Sequence, residues 1–173
     1  AQHAEYYGFW TSTFFRSVFN ACMRRMPARH ELPVYVLYDE FGHSNIPSFV
    51  SVANTIRGYR VSLSIVLQSL AQLPARYGKD YALSIMGGFN TFLTYSGADQ
   101  TTAEFFQAIG GKVVEEGKNR PEHIMTQRKE YNLLNADVVR RITDTQAVMV
   151  ATNKNPAVLE TVPYFGHRRF SRI

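Results

Sequence analysis

Polar side chains that could handle a metal ion and a water molecule follow the apolar runs of this sequence. The run Val34–Tyr38 leads directly into Asp39 and Glu40, and a second run ends at Gln68 and Ser69. A third run is followed in the same way by Tyr95, Ser96 and Asp99. Ligands of an open parallel sheet collect at the carboxyl ends of its strands. These side chains are therefore expected along one edge of a sheet.

The adjacent acids Asp39 and Glu40 match the Walker B pattern of P-loop ATPases. In that pattern the first acid holds Mg²⁺, usually through water, and the second polarises the attacking water. A glutamine at the tip of the neighbouring strand, here Gln68, can contact the γ-phosphate or the lytic water. Two structural alternatives stay open for these residues alone, namely a helix-capping acid and a solvated glutamine at a strand end.

Strands and helices alternate along the chain, which predicts an α/β fold with a mainly parallel sheet flanked by helices. Residues 34–38 are apolar on both faces, as in a strand covered by helices on both sides. Further strands are predicted at residues 61–69, 90–96 and 146–152. Helices are predicted at residues 5–25, 100–109 and 136–142. The pattern divides the chain into a helical segment, residues 1–31, and a core, residues 32–173.

Composition narrows the class of protein. The 173 residues are 45% hydrophobic, which is enough to bury a substantial core and excludes a disordered chain. The formal net charge of +5 fits an acidic partner such as nucleic acid. The sequence has no run of 18 apolar residues, so it predicts a soluble chain. Cys22 is the only cysteine, which rules out a disulfide within the chain.

A family resemblance rests on the residues around the acid pair. The segments "VLYDEFGH", "IPSFVSVANTIRGYR" and "SIVLQSLAQLPARYGKD" form an apolar strand, the letters DEF, a helix ending in arginine, a strand and then Q-S-x-x-Q-L. This order resembles the TraG-type coupling proteins of type IV secretion and conjugation. The resemblance covers most of residues 32–165.

The resemblance implies a RecA-like P-loop ATPase core that uses ATP and Mg²⁺. Residue by residue, it assigns Asp39 to Mg²⁺, Glu40 to water activation and Gln68 to sensing of the nucleotide. Arg57 matches an arginine finger that reaches the nucleotide of a neighbouring subunit. The family implies a hexameric ring at the cytoplasmic face of the bacterial inner membrane. Such a ring delivers relaxase-bound DNA or effector proteins to the components of a secretion channel.

One departure from the family pattern limits this expectation. The sequence contains no G-x-x-x-x-G-K-[ST] loop to cradle phosphates. The chain is therefore expected to be the C-terminal half of a nucleotide-binding domain and to be inactive alone, with membrane attachment through segments outside it. Two alternatives remain open: a DNA translocase of the FtsK or HerA kind, and a non-catalytic module that docks secretion substrates.

Overall fold

The computed structural model describes residues 2–116 and 128–167, and it divides the chain into two compact units. The first unit is Ala1–Asn90 and the second is Thr91–Ile173. The predicted boundary near residue 31 differs from this division and stays a prediction.

The first unit combines four helices with two strands among its described residues. In chain order these elements are α1 (Gln2–Cys22), β1 (Val34–Tyr38), α2 (Phe49–Thr55), β2 (Val61–Ile65), α3 (Gln72–Tyr77) and α4 (Lys79–Gly87). Short 3-10 helices at Phe41–His43 and Ile56–Tyr59 follow β1 and α2. Strands β1 and β2 pair in parallel, with Tyr38 opposite Ile65. The helical crossover that includes α2 makes this parallel pairing possible.

The core of the first unit lies on one face of the β1–β2 pair. Val36 and Tyr38 of β1 are buried, whereas Tyr35 and Leu37 on the opposite face are 77% and 71% exposed. Helix α1 joins this core through Phe19, which packs against Phe49. The prediction that helices cover both faces of β1 is wrong for this structure, because the buried residues of the unit collect on one face only.

The second unit is built on antiparallel strands. Its described elements are β3 (Thr91–Tyr95), α5 (Gln100–Ile109), β4 (Lys112–Glu116), β5 (Arg128–Asn132), α6 (Ala136–Arg140), β6 (Gln146–Ala151) and β7 (Ala157–Glu160). The sheets are β3–β6–β7 and the β4–β5 pair, and every pairing in them is antiparallel. The α/β class is confirmed, but the expected mainly parallel sheet is not seen in the described residues. Strands β6 and β7 are joined by a short turn, which can connect only antiparallel neighbours.

The end of α4 supplies a test of the packing between α2 and α4. A Cβ at Gly88 would stand 2.6 Å from the carbonyl oxygen of Ala53 in α2, whereas a Cβ at Gly87 would meet nothing within 4 Å. We expect Gly88→Ala to lower the free energy of unfolding by roughly 1–3 kcal/mol, because the backbone at Ala53 or Gly88 must shift to make room for the added methyl group. Gly87→Ala, the matched control, should raise it by about 0.5–1 kcal/mol, because alanine is the better helix former.

Urea unfolding of this chain measures both effects. Equal midpoints for the two variants would contradict the close approach of α4 to α2.

Candidate functional site

The two acids after β1 stand on a sharply turned backbone. Asp39 and Glu40 are both exposed, and Oδ1 of Asp39 accepts a hydrogen bond from the Glu40 N–H at 2.8 Å. Glu40 has φ 52° and ψ 38°, in the left-handed region that residues other than glycine rarely occupy. Such conformations persist where the surroundings enforce them, often at functional sites. The turn leaves both acidic residues exposed to solvent at the end of a strand that is buried on one face.

The residue after the turn anchors it in the core. Phe41 is fully buried, and its N–H donates to the carbonyl oxygen of Val66 at 3.0 Å. Its ring lies 4.5 Å from that of Phe49 and stacks on Tyr77 at 5.8 Å between centroids. These contacts stabilise the strained conformation of Glu40 from one side.

Gln68 leaves the sheet at the same edge as the acids. The Val66 N–H donates to the carbonyl oxygen of Tyr38 at 2.9 Å, so the ends of β1 and β2 stay paired beyond the regular ladder. Gln68 follows two residues later with an exposed side chain. The parallel pair therefore brings Asp39, Glu40 and Gln68 to one edge, as the sequence predicts.

Arg57 lies at the other end of the pair. It belongs to the 3-10 helix Ile56–Tyr59, which precedes β2, and its side chain is exposed. A strand of five residues is about 16 Å long, so roughly that length separates Arg57 from the edge that carries the acids. The nearby Arg60 has a local structural role, because its Nη1 donates to the carbonyl oxygens of Ala28 and Arg29 at 3.3 and 2.8 Å.

Helix α3 holds the loop that follows the acids, and sequence reasoning did not single out two of its contacts. The Nε of Arg76 donates to the carbonyl oxygen of Gly42 at 3.0 Å. The Oε1 of Gln72 accepts the Gln68 N–H at 3.1 Å, and a Cβ added at Gly42 would overlap the Gln72 carboxamide. Gln72 thus touches both the acid loop and the Gln68 loop. The i, i+4 spacing of Gln72 and Arg76 is the signal that could have placed them on one face of α3.

A buried tyrosine, Tyr38, and a partly buried one, Tyr77, complete the support beneath the acids. The Tyr77 hydroxyl oxygen accepts the Ile46 N–H at 3.0 Å, and burial, helped by the neighbouring Tyr38, raises the pKa of Tyr77 to about 12 despite that hydrogen bond. The Tyr38 ring stacks on Phe15 at 3.8 Å between centroids. Among the described residues its buried hydroxyl makes no hydrogen bond of good geometry, although the Ser44 side chain lies near it. Burial raises the pKa of Tyr38, and Ser44 offsets part of that rise.

The polar residues after β3 have local roles in the second unit. The Ser96 hydroxyl donates to Oδ1 of Asp144 at 2.6 Å. Asp99 stands at the N-cap of α5 and accepts a hydrogen bond from the Thr102 hydroxyl. These contacts explain their presence at a strand end without a ligand. The expectation that they join the β1 acids at one edge stays a prediction.

Metal ligands are sparse around the acids. Among the residues that the structure describes, no three His, Cys, Asp or Glu side chains lie close enough to hold a metal ion together. Mg²⁺ is commonly bound by one or two carboxylates together with water and substrate phosphates. Asp39 would therefore hold Mg²⁺ only together with water or a phosphate ligand. Within the described helices, none is long and apolar enough to cross a membrane.

Comparison with models of protein families shows which family the chain belongs to. Residues 33–144 match the TraG-D_C family, which is described as the TraM recognition site of TraD and TraG. The chain belongs to this TraG/TraD family. The match includes Asp39, Glu40, Arg57 and Gln68, together with α3 and its contacts. The coupling-protein resemblance read from the sequence is thereby confirmed.

Solved structures with the same fold are also coupling proteins. The bacterial conjugative coupling protein TrwBdeltaN70, in its unbound monoclinic form, matches with a TM-score of 0.74 at 17% identity over 86% of this chain. The plasmid coupling protein TrwB matches over 93% of this chain, with a TM-score of 0.76, both in complex with ADP and Mg²⁺ (15% identity) and in complex with the non-hydrolysable ATP analogue ADPNP (16%).

The TraG/TraD chain described here covers 36–38% of the length of these TrwB structures. No curated protein sequence matches the chain.

The two supporting tyrosines of this TraG/TraD chain supply a matched pair of variants. Tyr77→Phe should lower the free energy of unfolding by about 1 kcal/mol, because the buried Ile46 N–H loses its acceptor. Tyr38→Phe should leave it unchanged or raise it by up to about 1 kcal/mol, because the buried hydroxyl that is removed makes no hydrogen bond of good geometry and has only Ser44 nearby. Chemical unfolding of the two variants measures the difference, and a larger loss for Tyr38→Phe would contradict these contacts.

Proposed function

We propose that this chain carries the hydrolytic half of the ATP site of a conjugation coupling protein. In this proposal a RecA-like motor uses ATP to deliver relaxase-bound DNA or protein substrates to a type IV secretion channel. The observation that supports it most directly is the placement of Asp39, Glu40 and Gln68 at one edge of the β1–β2 pair. Membership of the TraG/TraD family supplies the biological setting.

The acid pair divides the chemistry between its members. Glu40 is the group that orients the attacking water and accepts its proton, and its left-handed turn aims an exposed carboxylate away from the strand. Gln68 contacts the γ-phosphate or the same water, and so distinguishes ATP from ADP. Since the Gln68 N–H is bonded to Gln72, a shift of Gln68 would be felt in α3.

Asp39 suits a magnesium site in one specific respect. Its Oδ1 is occupied by the Glu40 N–H, which fixes the carboxylate and leaves the second oxygen for a cation or its water. A bound Mg²⁺ would neutralise charge on the nucleotide phosphates. The plasmid coupling protein TrwB has been solved in complex with ADP and Mg²⁺, which supports the same pair of ligands here.

The position of Arg57 supports the proposal that the full-length protein assembles into a ring. Since it lies at the opposite end of β2 from Gln68, it does not easily reach a nucleotide held at the acid edge of its own subunit. A neighbour in a hexameric ring could present its nucleotide to this arginine. The guanidinium is always charged and forks onto phosphate oxygens. In this proposal the full-length protein acts at the cytoplasmic face of the bacterial inner membrane.

The role of Glu40 is tested in a full-length coupling protein that carries this segment. Glu40→Gln should keep ATP bound and lower turnover roughly 10²–10⁴-fold, because the water loses its positioning base. Glu160→Gln, an exposed glutamate of β7, is the matched control and should turn over ATP normally. Steady-state hydrolysis and nucleotide binding are measured on both variants. Normal hydrolysis by Glu40→Gln would overturn the assignment of Glu40 as the residue that positions the water.

The role of Arg57 is tested by mixing two inactive full-length variants, Arg57→Ala and Glu40→Gln. Each alone should be inactive, since an arginine finger contributes roughly 10³–10⁵ in rate. Mixed rings contain some interfaces with an intact Arg57 facing an intact Glu40, so part of the activity should return. If subunits demonstrably co-assemble and no activity returns, Arg57 does not act across the interface.

A further inference from the structure

Two cavities lie side by side on the first unit, outside the edge that carries the acids. The first, of about 380 Å³, lies between α1 and the loop after β1, and Arg16, His43 and Arg76 are among its lining residues. The second, of about 610 Å³, shares Asn45, Pro47 and Arg76 with the first and extends along α2 to Tyr81. We call the two together the basic groove. Asp39, Glu40, Arg57 and Gln68 do not line it.

The charge of the basic groove is of one sign. Arg16 and Arg76 line it with the imidazole of His43, and none of its lining residues is acidic. Among the described residues, Arg16 makes no ion pair, and its exposed guanidinium borders the groove. Arg76 is held by the bond from its Nε to Gly42, which leaves its two terminal nitrogens available as donors. The basic groove therefore favours an anionic ligand, because it has two guanidinium groups, one of them held in place, and no carboxylate among its lining residues.

The remaining lining identifies the kind of anion. Hydroxyl and amide groups of Thr13, Asn45, Ser48 and Ser51 continue along the groove, so hydrogen-bond donors extend beyond a single phosphate. Exposed aromatic rings stand in both cavities, Phe9 in the first and Tyr81 in the second. Cationic grooves with aromatic rings on which bases stack are typical of single-strand nucleic-acid sites.

A peptide fits this lining less well. Strand addition, one of the common modes of peptide binding, is not available here, because all residues of the basic groove lie on helices or loops. The extended set of donors also exceeds what one isolated phosphate would occupy.

We propose that the basic groove binds the phosphate backbone of single-stranded nucleic acid, with Arg16 and Arg76 on successive phosphates and Phe9 and Tyr81 beside the bases. The proposal rests on the proposed function only for its setting, since it locates one of the two cargo classes on a defined surface. Arg76 also contacts Gly42, two residues after Glu40. A nucleic-acid strand bound in the basic groove would therefore affect the position of the loop that carries the acids.

The test compares two exposed arginines of the first unit that differ in position. Arg16→Ala removes a cation from the basic groove, whereas Arg24→Ala, the matched control, removes the same charge outside it. Binding of a fluorescent oligothymidylate to this chain is measured by anisotropy, without nucleotide, over a series of salt concentrations. A second series adds unlabelled oligothymidylate or a polyglutamate peptide as competitor.

Arg16→Ala should weaken binding roughly three- to ten-fold, the effect of one charge-assisted contact. It should also reduce the slope of log K against log salt by about 0.7, the value for one phosphate contact on a single strand. Arg24→Ala should change neither quantity. Arg76→Ala should weaken binding in the same way, provided that its unfolding midpoint shows a folded chain.

Three results would overturn the proposal: no binding of the oligonucleotide, equal losses for Arg16→Ala and Arg24→Ala, or competition by polyglutamate as effective as by unlabelled oligonucleotide. Each of these leaves the Glu40 test untouched, because the binding is measured without ATP. Conversely, normal hydrolysis by Glu40→Gln would refute the role of Glu40 and leave the binding test of the basic groove unaffected.

Discussion

Two backbone hydrogen bonds tie the loop that carries the acids to the loop that carries Gln68. The Val66 N–H donates to Tyr38, and Val66 in turn accepts from the Phe41 N–H, so the chain on either side of Asp39 and Glu40 is fastened to the neighbouring strand end. This exchange opposes relaxation of the left-handed conformation of Glu40, together with the burial of Phe41 and the contacts of Gln72 and Arg76 with Gly42. It links the position of the acids to that of Gln68 through the main chain.

Helix α3 also supports these two loops, through direct side-chain contacts. Gln72 reaches Gly42 and the Gln68 backbone, Arg76 reaches Gly42, and Tyr77 reaches Ile46. One short helix therefore contacts the acid loop, the Gln68 loop and the start of the segment leading to α2. Three of these contacts, those of Gln72 with Gln68, Arg76 with Gly42 and Tyr77 with Ile46, are hydrogen bonds to backbone groups. They therefore fix main-chain position rather than side-chain rotamers. The same helix borders the basic groove through Arg76.

Local patterns in the sequence predicted the elements better than their partners. The strand Val34–Tyr38 and the helix Gln100–Ile109 have the predicted bounds, because hydrophobic periodicity and flanking breakers act within a few residues. The pairing of β3 with β6 was missed, because strand order depends on contacts between distant segments. The acid edge was predicted from general rules for parallel sheets. The left-handed Glu40 was not, because nothing in its type signals that conformation.

The close fit of Gln72 over Gly42 has a consequence for how this protein can vary. A side chain at position 42 and the carboxamide at position 72 would occupy the same space, so either residue can be exchanged freely only after the other has changed. A larger residue at position 42 displaces Gln72 and releases the Gln68 N–H, while a shorter residue at position 72 opens room that glycine no longer needs to leave. Gly42 and Gln72 therefore limit each other's side-chain size, although thirty positions separate them in the chain.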